Sequence, residues 1–243
     1  MAKSVSVIIP ALNEEKLIEQ TVRQFSDVVK EKYDVEVIVS DGGSTDNTLS
    51  IIEGKVDKIV KHDKDYKQNI SKGRNMGFKS STGNVLIFFN ADTYVNDIDL
   101  FFEKILLYLK DEKVNALAFP VKVFPNEEKL QDKVFHSLYN NYVRLLNFAF
   151  MGMGRGECHI VKREAFESVK GYNEDLGAGE DFELYKKLHK IGKIRFCKDL
   201  LVYESPRRYR KFGYLYVLFD WAKNSIWITL FKKSVSKEWK PIR

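Results

Sequence analysis

Asp92 sits three residues beyond an unbroken apolar run, Val85 to Phe89, in the stretch VLIFFNADTYV. Two other apolar runs end the same way. VSVIIP (5–10) leads into Ala11, Asn13, Glu14 and Glu15, and VEVIVS (35–40) leads into Asp41, Gly42, Gly43 and Asp46. A further acidic pair, Glu180 and Asp181, follows GAG and opens a helical pattern. Carboxylates in such places do one of two kinds of chemistry. They take a proton as a general base, or they hold a hard cation, since Mg²⁺ and Mn²⁺ prefer oxygen ligands and bridge one or two carboxylates to phosphates. Any one cluster also reads as an ordinary loop. Asn13 or Ser44 would cap a helix, the glycines would make turns, and Glu180–Asp181 would suit a helix dipole. Three clusters after three strand-like runs point instead to a shared pocket.

The elements that place these residues alternate. After the strand at 5–10, EEKLIEQTVRQFSDVVKEK (14–32) predicts one amphipathic helix with Leu17, Ile18, Val22, Phe25, Val28 and Val29 on a stripe. Strands are expected at 35–40, 57–62 and 84–89, helices at 44–53, 72–81 and 100–109, and an extended segment at 115–124. Strand–helix alternation implies an α/β fold with a doubly wound, mostly parallel sheet flanked by helices. Strands buried on both faces read as continuous apolar runs, as these do. Ligands bind beyond the carboxyl ends of such strands, which is where Asp92 falls. The second half is less regular, with helices expected at 129–149 and 180–191 around a glycine-rich stretch, GMGRG (152–156). Those glycines permit close backbone approach to a ligand or simply make a turn, and His159 reads as a core residue.

The 243 residues suffice for a full core. The net charge of +6 is uneven: from Lys193 onward there are 13 Lys/Arg against 4 Asp/Glu, and the remainder is net acidic. Two cysteines, Cys158 and Cys197, make no disulfide framework and have no metal-ligand spacing. No signal peptide is evident, and no stretch reaches the roughly 18 apolar residues of a spanning helix. The expected compartment is the cytoplasm. Charge without a recognised motif argues against nucleic acid.

Four segments together resemble the inverting glycosyltransferases of family 2. They are VSVIIPALNEE, VIVSDGGSTDNT, KGRNMGFKSSTGNVLIFFNADT and GAGEDFELYKKLHKIG, in the family's order and spacing over roughly residues 4–211. The resemblance implies a GT-A fold and hexosyl transfer from a nucleotide-diphosphate sugar, UDP- or GDP-linked, with Mn²⁺ or Mg²⁺ on the diphosphate. By the same resemblance Pro10, Ala11, Asn13 and Glu14 line the nucleotide pocket, and Asp41 bonds the base with Arg74 near it. Asn90, Ala91 and Asp92 match the family's Asp-x-Asp, with Asp92 on the metal, and Asp181 is the general base. Two positions depart from the pattern. The first Asp is Asn90, which weakens metal and ribose contacts, and the usual later His is replaced in YES, making Glu204 an alternative metal ligand.

The last segment, SPRRYRKFGYLYVLFDWAKNSIWITLFKK (205–233), begins with a basic knot. Arg207 and Arg208 suit a diphosphate, because guanidinium pairs well with phosphate. Residues 212–243 are expected as a separate helical extension after a 1–211 catalytic domain. Its aromatic, basic-flanked helix either lies on a membrane surface through 212–233, packs on the catalytic domain, or makes a dimer. The acceptor is a sugar hydroxyl or a lipid-linked group. A polyprenyl-phosphate sugar synthase, a non-catalytic nucleotide-sugar binding module and a membrane-surface scaffold are the competing readings. The sugar, the base, the acceptor and the oligomeric state are not readable from the sequence.

Overall fold

The computed structural model describes residues 4–62, 68–149 and 151–235. The expected tail to 243 therefore lies outside the described residues from 236 onward. The chain runs β1 (Val5–Ala11), α1 (Ile18–Arg23), α2 (Asp27–Tyr33), β2 (Val35–Asp41), α3 (Thr48–Ile52), β3 (Lys58–Lys61), α4 (Ile70–Lys79), β4 (Val85–Phe89), β5 (Thr93–Tyr94), α5 (Ile98–Leu109), β6 (Val114–Ala118), β7 (Val121–Val123), α6 (Leu130–Phe148), β8 (Cys158–Lys162), α7 (Arg163–Ser168), α8 (Glu180–Ile191), β9 (Lys193–Phe196), β10 (Val202–Glu204), α9 (Arg207–Phe212) and α10 (Tyr214–Phe231).

Seven strands form one sheet in the order β3-β2-β1-β4-β8-β6-β9, and β5, β10 and β7 form a small second sheet. In the large sheet β8 alone runs antiparallel to its neighbours, β4 and β6. The side-chain period of two explains why β1 and β4 are apolar throughout. Val7, Ile9, Ile87 and Phe89 face a core with α1, α2 and α5, which includes Phe25 and Phe102. Ile8, Leu86 and Phe88 face a second core with Phe166, Tyr172 and Tyr185. Burying each such side chain contributes about 1.5–3 kcal/mol, so both faces stabilise the strands that carry the polar clusters.

The single helix expected over 14–32 is two helices. Ser26 caps α2, its hydroxyl accepting from the Val29 amide, while the Glu14 and Glu15 amides donate to Thr48 and Asp46 side chains instead of entering a helix. The extended 115–124 segment divides into β6 and β7 at Phe119–Pro120, where proline removes a ladder donor. The basic knot is helical, as α9. Helix α10 packs on the rest of the chain through Val217, Asn224 and Ile228, which are buried, and Ile228 joins Val143, Met153, Leu176 and Phe182 in a small core. No helix among the described residues is long and apolar enough to cross a membrane.

Candidate active site

The carboxyl ends of β1, β2 and β4 open into a cleft of about 670 Å³. Of the residues expected there, Pro10, Ala11, Glu14, Arg74, Asn90, Ala91, Asp92, Asp181, Glu204, Arg207 and Arg208 line it. Asn13 and Asp41 are not among its lining residues. Asp41 is buried, and its carboxylate accepts from the Gly43 and Ser44 amides at 3.0–3.2 Å. Asn13, at φ 54°, accepts from the Thr45 amide. Both side chains therefore build the loop after β2, while their neighbours Ser40, Gly42 and Leu12 form the wall.

Arg74 departs furthest from expectation. It is fully buried, and its hydrogen bonds go elsewhere than Asp41. Its guanidinium donates to Glu180 at 2.9 Å, to the Asn90 amide oxygen at 3.0 Å and to the Gly156 carbonyl at 2.7 Å. Helix α4 can hold it there because Gly77 lies on β1 with no room for a side chain: a Cβ would stand 2.5 Å from Ile8. An Arg spanning three segments explains Asn90, since an amide oxygen accepts its bond without adding a charge beside Glu180 and Asp181.

Asp181, at the start of α8, faces the same cleft. Its carboxyl is pushed up to about 7, chiefly by burial and then by the charge of Glu180, while Arg74 pulls the other way. One oxygen accepts from the Phe182 amide at 2.8 Å. Gly156 lies beside the other, where even a Cβ would stand 3.4 Å from Oδ2, an ordinary contact. The remaining glycines serve packing rather than ligand approach. A Cβ on Gly154 would meet the Tyr185 ring at 2.3 Å, so the GMGRG segment is pressed on α8. His159 is a core residue, its Nδ1 2.6 Å from the Tyr172 hydroxyl.

Asp92 is held by Arg207, whose Nη2 lies 3.0 Å away; the same guanidinium donates two bonds of 2.8 Å to Glu14. Burial raises the Asp92 carboxyl above its ordinary range, and the Arg207 charge opposes that. Glu204, expected as an alternative metal ligand, lines the cleft within a buried hydrogen-bonded network. Glu204 accepts from Arg155 at 3.1 Å and from the Tyr209 hydroxyl at 2.8 Å. Burial, then the charge of Glu157, hold its carboxyl well above the ordinary range, while Arg155 pulls the other way.

Residues 6–170 match the model of the family described as Glycosyl transferase family 2. The chain belongs to that family. Among curated family relatives, it is 26% identical over 219 residues to the probable glycosyltransferase YdaM of Bacillus subtilis, covering 83% of this chain and 50% of that protein. It thus spans half the length of that relative. It is 29% identical over 149 residues to the poly(ribitol-phosphate) beta-N-acetylglucosaminyltransferase TarS of Staphylococcus aureus, covering 55% of this chain and 26% of TarS. Among solved structures, the mannosyltransferase PcManGT of Pyrobaculum calidifontis, in complex with GDP-Man and Mn²⁺, superposes with a TM-score of 0.66 at 22% identity over 84% of this chain and 57% of that one. Glucosyl-3-phosphoglycerate synthase of Mycobacterium tuberculosis, bound to Mn²⁺, UDP and phosphoglyceric acid, gives 0.62 at 17% identity over 94% and 78%. These superpositions show that the family fold, GT-A, is the fold of this chain.

A resident cation can be tested against the family site as it stands. Among the described residues no three His, Cys, Asp or Glu side chains are grouped to hold a metal unaided. The cleft offers the Asp92 carboxylate, ion-paired with Arg207 at 3.0 Å, an oxygen donor of the kind that Mg²⁺ and Mn²⁺ take beside phosphates. Sequence reasoning missed Glu157, Arg155 and the far wall, where Tyr139, Met153, Phe182, Trp221, Asn224 and Ser225 arrive from four distant segments. The EC of GRGECH was the one local sign of Glu157.

Proposed function

We propose that the protein is an inverting glycosyltransferase that moves a sugar from a UDP- or GDP-linked donor to an acceptor hydroxyl, with Asp181 as the general base. One observation carries the reading: Asp181, with its carboxyl near 7, shares a cleft with the phosphate-suited edge formed by Asp92 and Arg207. A base poised near the working pH is ionised enough to accept a proton and basic enough to pull one.

The nucleotide lies over the ends of β1 and β2, against Pro10, Ala11 and Glu14, with Ser40 and Gly42 beside the base. Arg207 and Arg208 face the diphosphate. A divalent cation held by Asp92, when bound, stabilises the charge growing on the leaving diphosphate. Asp181 takes the acceptor proton as the new bond forms at the anomeric carbon, and the diphosphate leaves with the electron pair of the old one. The acceptor is a sugar hydroxyl or a lipid-linked group, and 212–233 is the part of the chain that would meet a membrane surface. If the acceptor is already an anionic phosphate, as in a polyprenyl-phosphate sugar synthase, Asp181 need not act as a base; the basic residues Arg207 and Arg208 at the cleft favour keeping that second reading.

Calorimetric titration of UDP, GDP and dTDP, each with and without Mn²⁺, tests the site on wild type and Asp92→Ala. One nucleotide should bind tightly only with the cation, and Asp92→Ala should remove that dependence. Absence of binding under every condition would refute the proposal.

A further inference from the structure

Two helices that form the far wall of the cleft leave their outer sides apolar. Helices α6 and α10 pack through Tyr139 on Trp221 and Phe135 on Tyr214, with ring centroids 5.1 Å apart in both pairs. Away from that seam, Leu138 is 69% exposed, Leu145 60% and Phe148 80% on α6. On α10 Leu215 and Phe219 are 71% exposed and Leu230 66%. Scattered exposed leucines need no explanation, but continuous apolar stripes on two neighbouring helices mark an interaction surface.

The charge around the stripes selects the partner. Lys129, Lys133 and Arg144 flank α6, and Lys211, Lys223, Lys232 and Lys233 flank α10, all exposed. The acidic groups do not balance them: Glu127 and Glu128 precede α6, the latter paired with Lys133 at 3.7 Å, Asp132 is buried against Arg210, and Asp220 is partly covered. A second copy would bring like charge against like charge. An anionic lipid surface takes both features, burying apolar and aromatic side chains at the headgroup boundary while the basic rim meets anionic lipid.

We propose that α6 and α10 together form a docking face for an anionic lipid bilayer, so that the cleft receives a lipid-linked acceptor from the membrane plane. The acceptor part rests on the transferase reading above; the docking part does not. The same two helices supply Tyr139, Trp221, Asn224 and Ser225 to the cleft, so docking the face brings the cleft's far wall next to the lipid headgroups. The platform is larger than the 212–233 segment expected from sequence, because α6 contributes half of it.

The full chain is sedimented with vesicles of phosphatidylcholine, with and without phosphatidylglycerol, while nucleotide titration runs in parallel. Wild type should bind the phosphatidylglycerol vesicles and lose binding in high salt. The doubly substituted Leu138→Glu/Phe219→Glu protein should lose about a hundredfold or more in vesicle affinity, since two apolar side chains leave the headgroup boundary and two carboxylates meet anionic lipid. Lys223→Glu/Lys233→Glu should abolish the preference for anionic vesicles. Nucleotide affinity should stay unchanged in both variants, which separates a failure of docking from a failure of the donor site. Wild type that ignores both vesicles, or a Leu138→Glu/Phe219→Glu protein that sediments like wild type, overturns the proposal. So does a wild-type dimer dispersed by those substitutions, which would make the face an interface between copies.

Discussion

Glu180→Gln should move the acidic limb of the pH–rate profile downward. Gln keeps the oxygen that accepts from Arg74 at 2.9 Å and removes the charge that, after burial, does most to raise Asp181. At an effective dielectric of about 20, like charges on neighbouring side chains repel by roughly 2 kcal/mol. Arg74 already cancels part of that, and once Glu180 is neutral the Arg74 charge acts on Asp181 with less opposition. A net fall of about 1 pKa unit follows, equivalent to about 1.4 kcal/mol. The limb of kcat/KM should therefore shift from about 7 to about 6, with a plateau roughly threefold lower because the base is weaker. Initial rates across pH at fixed donor and cation, on wild type and Glu180→Gln, give the answer. A limb that stays within about 0.3 unit, or moves upward, would refute the electrostatic account of Asp181.

Asp181→Asn should abolish transfer to a hydroxyl acceptor and stabilise the fold at high pH. The folded-state carboxyl sits near 7 against a reference of 3.8, so the folded state binds the proton more tightly and stability falls as pH rises between those values. Thermal melts should show little gain for Asp181→Asn at pH 4 and about 2–4 kcal/mol at pH 8; an equal gain at both pH values would contradict the assignment. Arg74→Met should cost about 3–5 kcal/mol, because it strands the buried Glu180 charge, and pairing it with Glu180→Gln should recover part of that loss in denaturant unfolding.

Much of the fold was written locally. The runs at 5–10, 35–40 and 84–89 became β1, β2 and β4 because apolar residues buried on both faces leave few alternatives, and Asp92 followed from the end of β4. The break at Gln24–Ser26 was hidden because Phe25 continues the hydrophobic stripe, although Ser26 before Asp27 is a capping signature. The reversed direction of β8 was not legible, since an apolar run does not encode strand polarity. The site divided the same way. Pro10, Ala11, Glu14, Asn90, Ala91 and Asp92, next to strand ends, line the cleft, but Asn13 and Asp41 turn into their own loop, and the roles of Arg74, Glu204 and Glu157 depend on partners 16 to 106 residues away or buried beside them. No spacing rule reaches that far.

The Arg74 clasp also bears on how this chain can be recombined with its relatives. One side chain on α4 ties the end of β4, the turn before β8 and the start of α8. The stretch shared with the family model stops at residue 170, ahead of Glu180. A chimera joined near that point would exchange the partner of a buried guanidinium while keeping the guanidinium itself. Grafts that carry positions 74, 90, 156 and 180 as a set should express and fold, and grafts that split the set should fail even where every surface match looks favourable. The two sides of the cleft are thus held together as one packed unit.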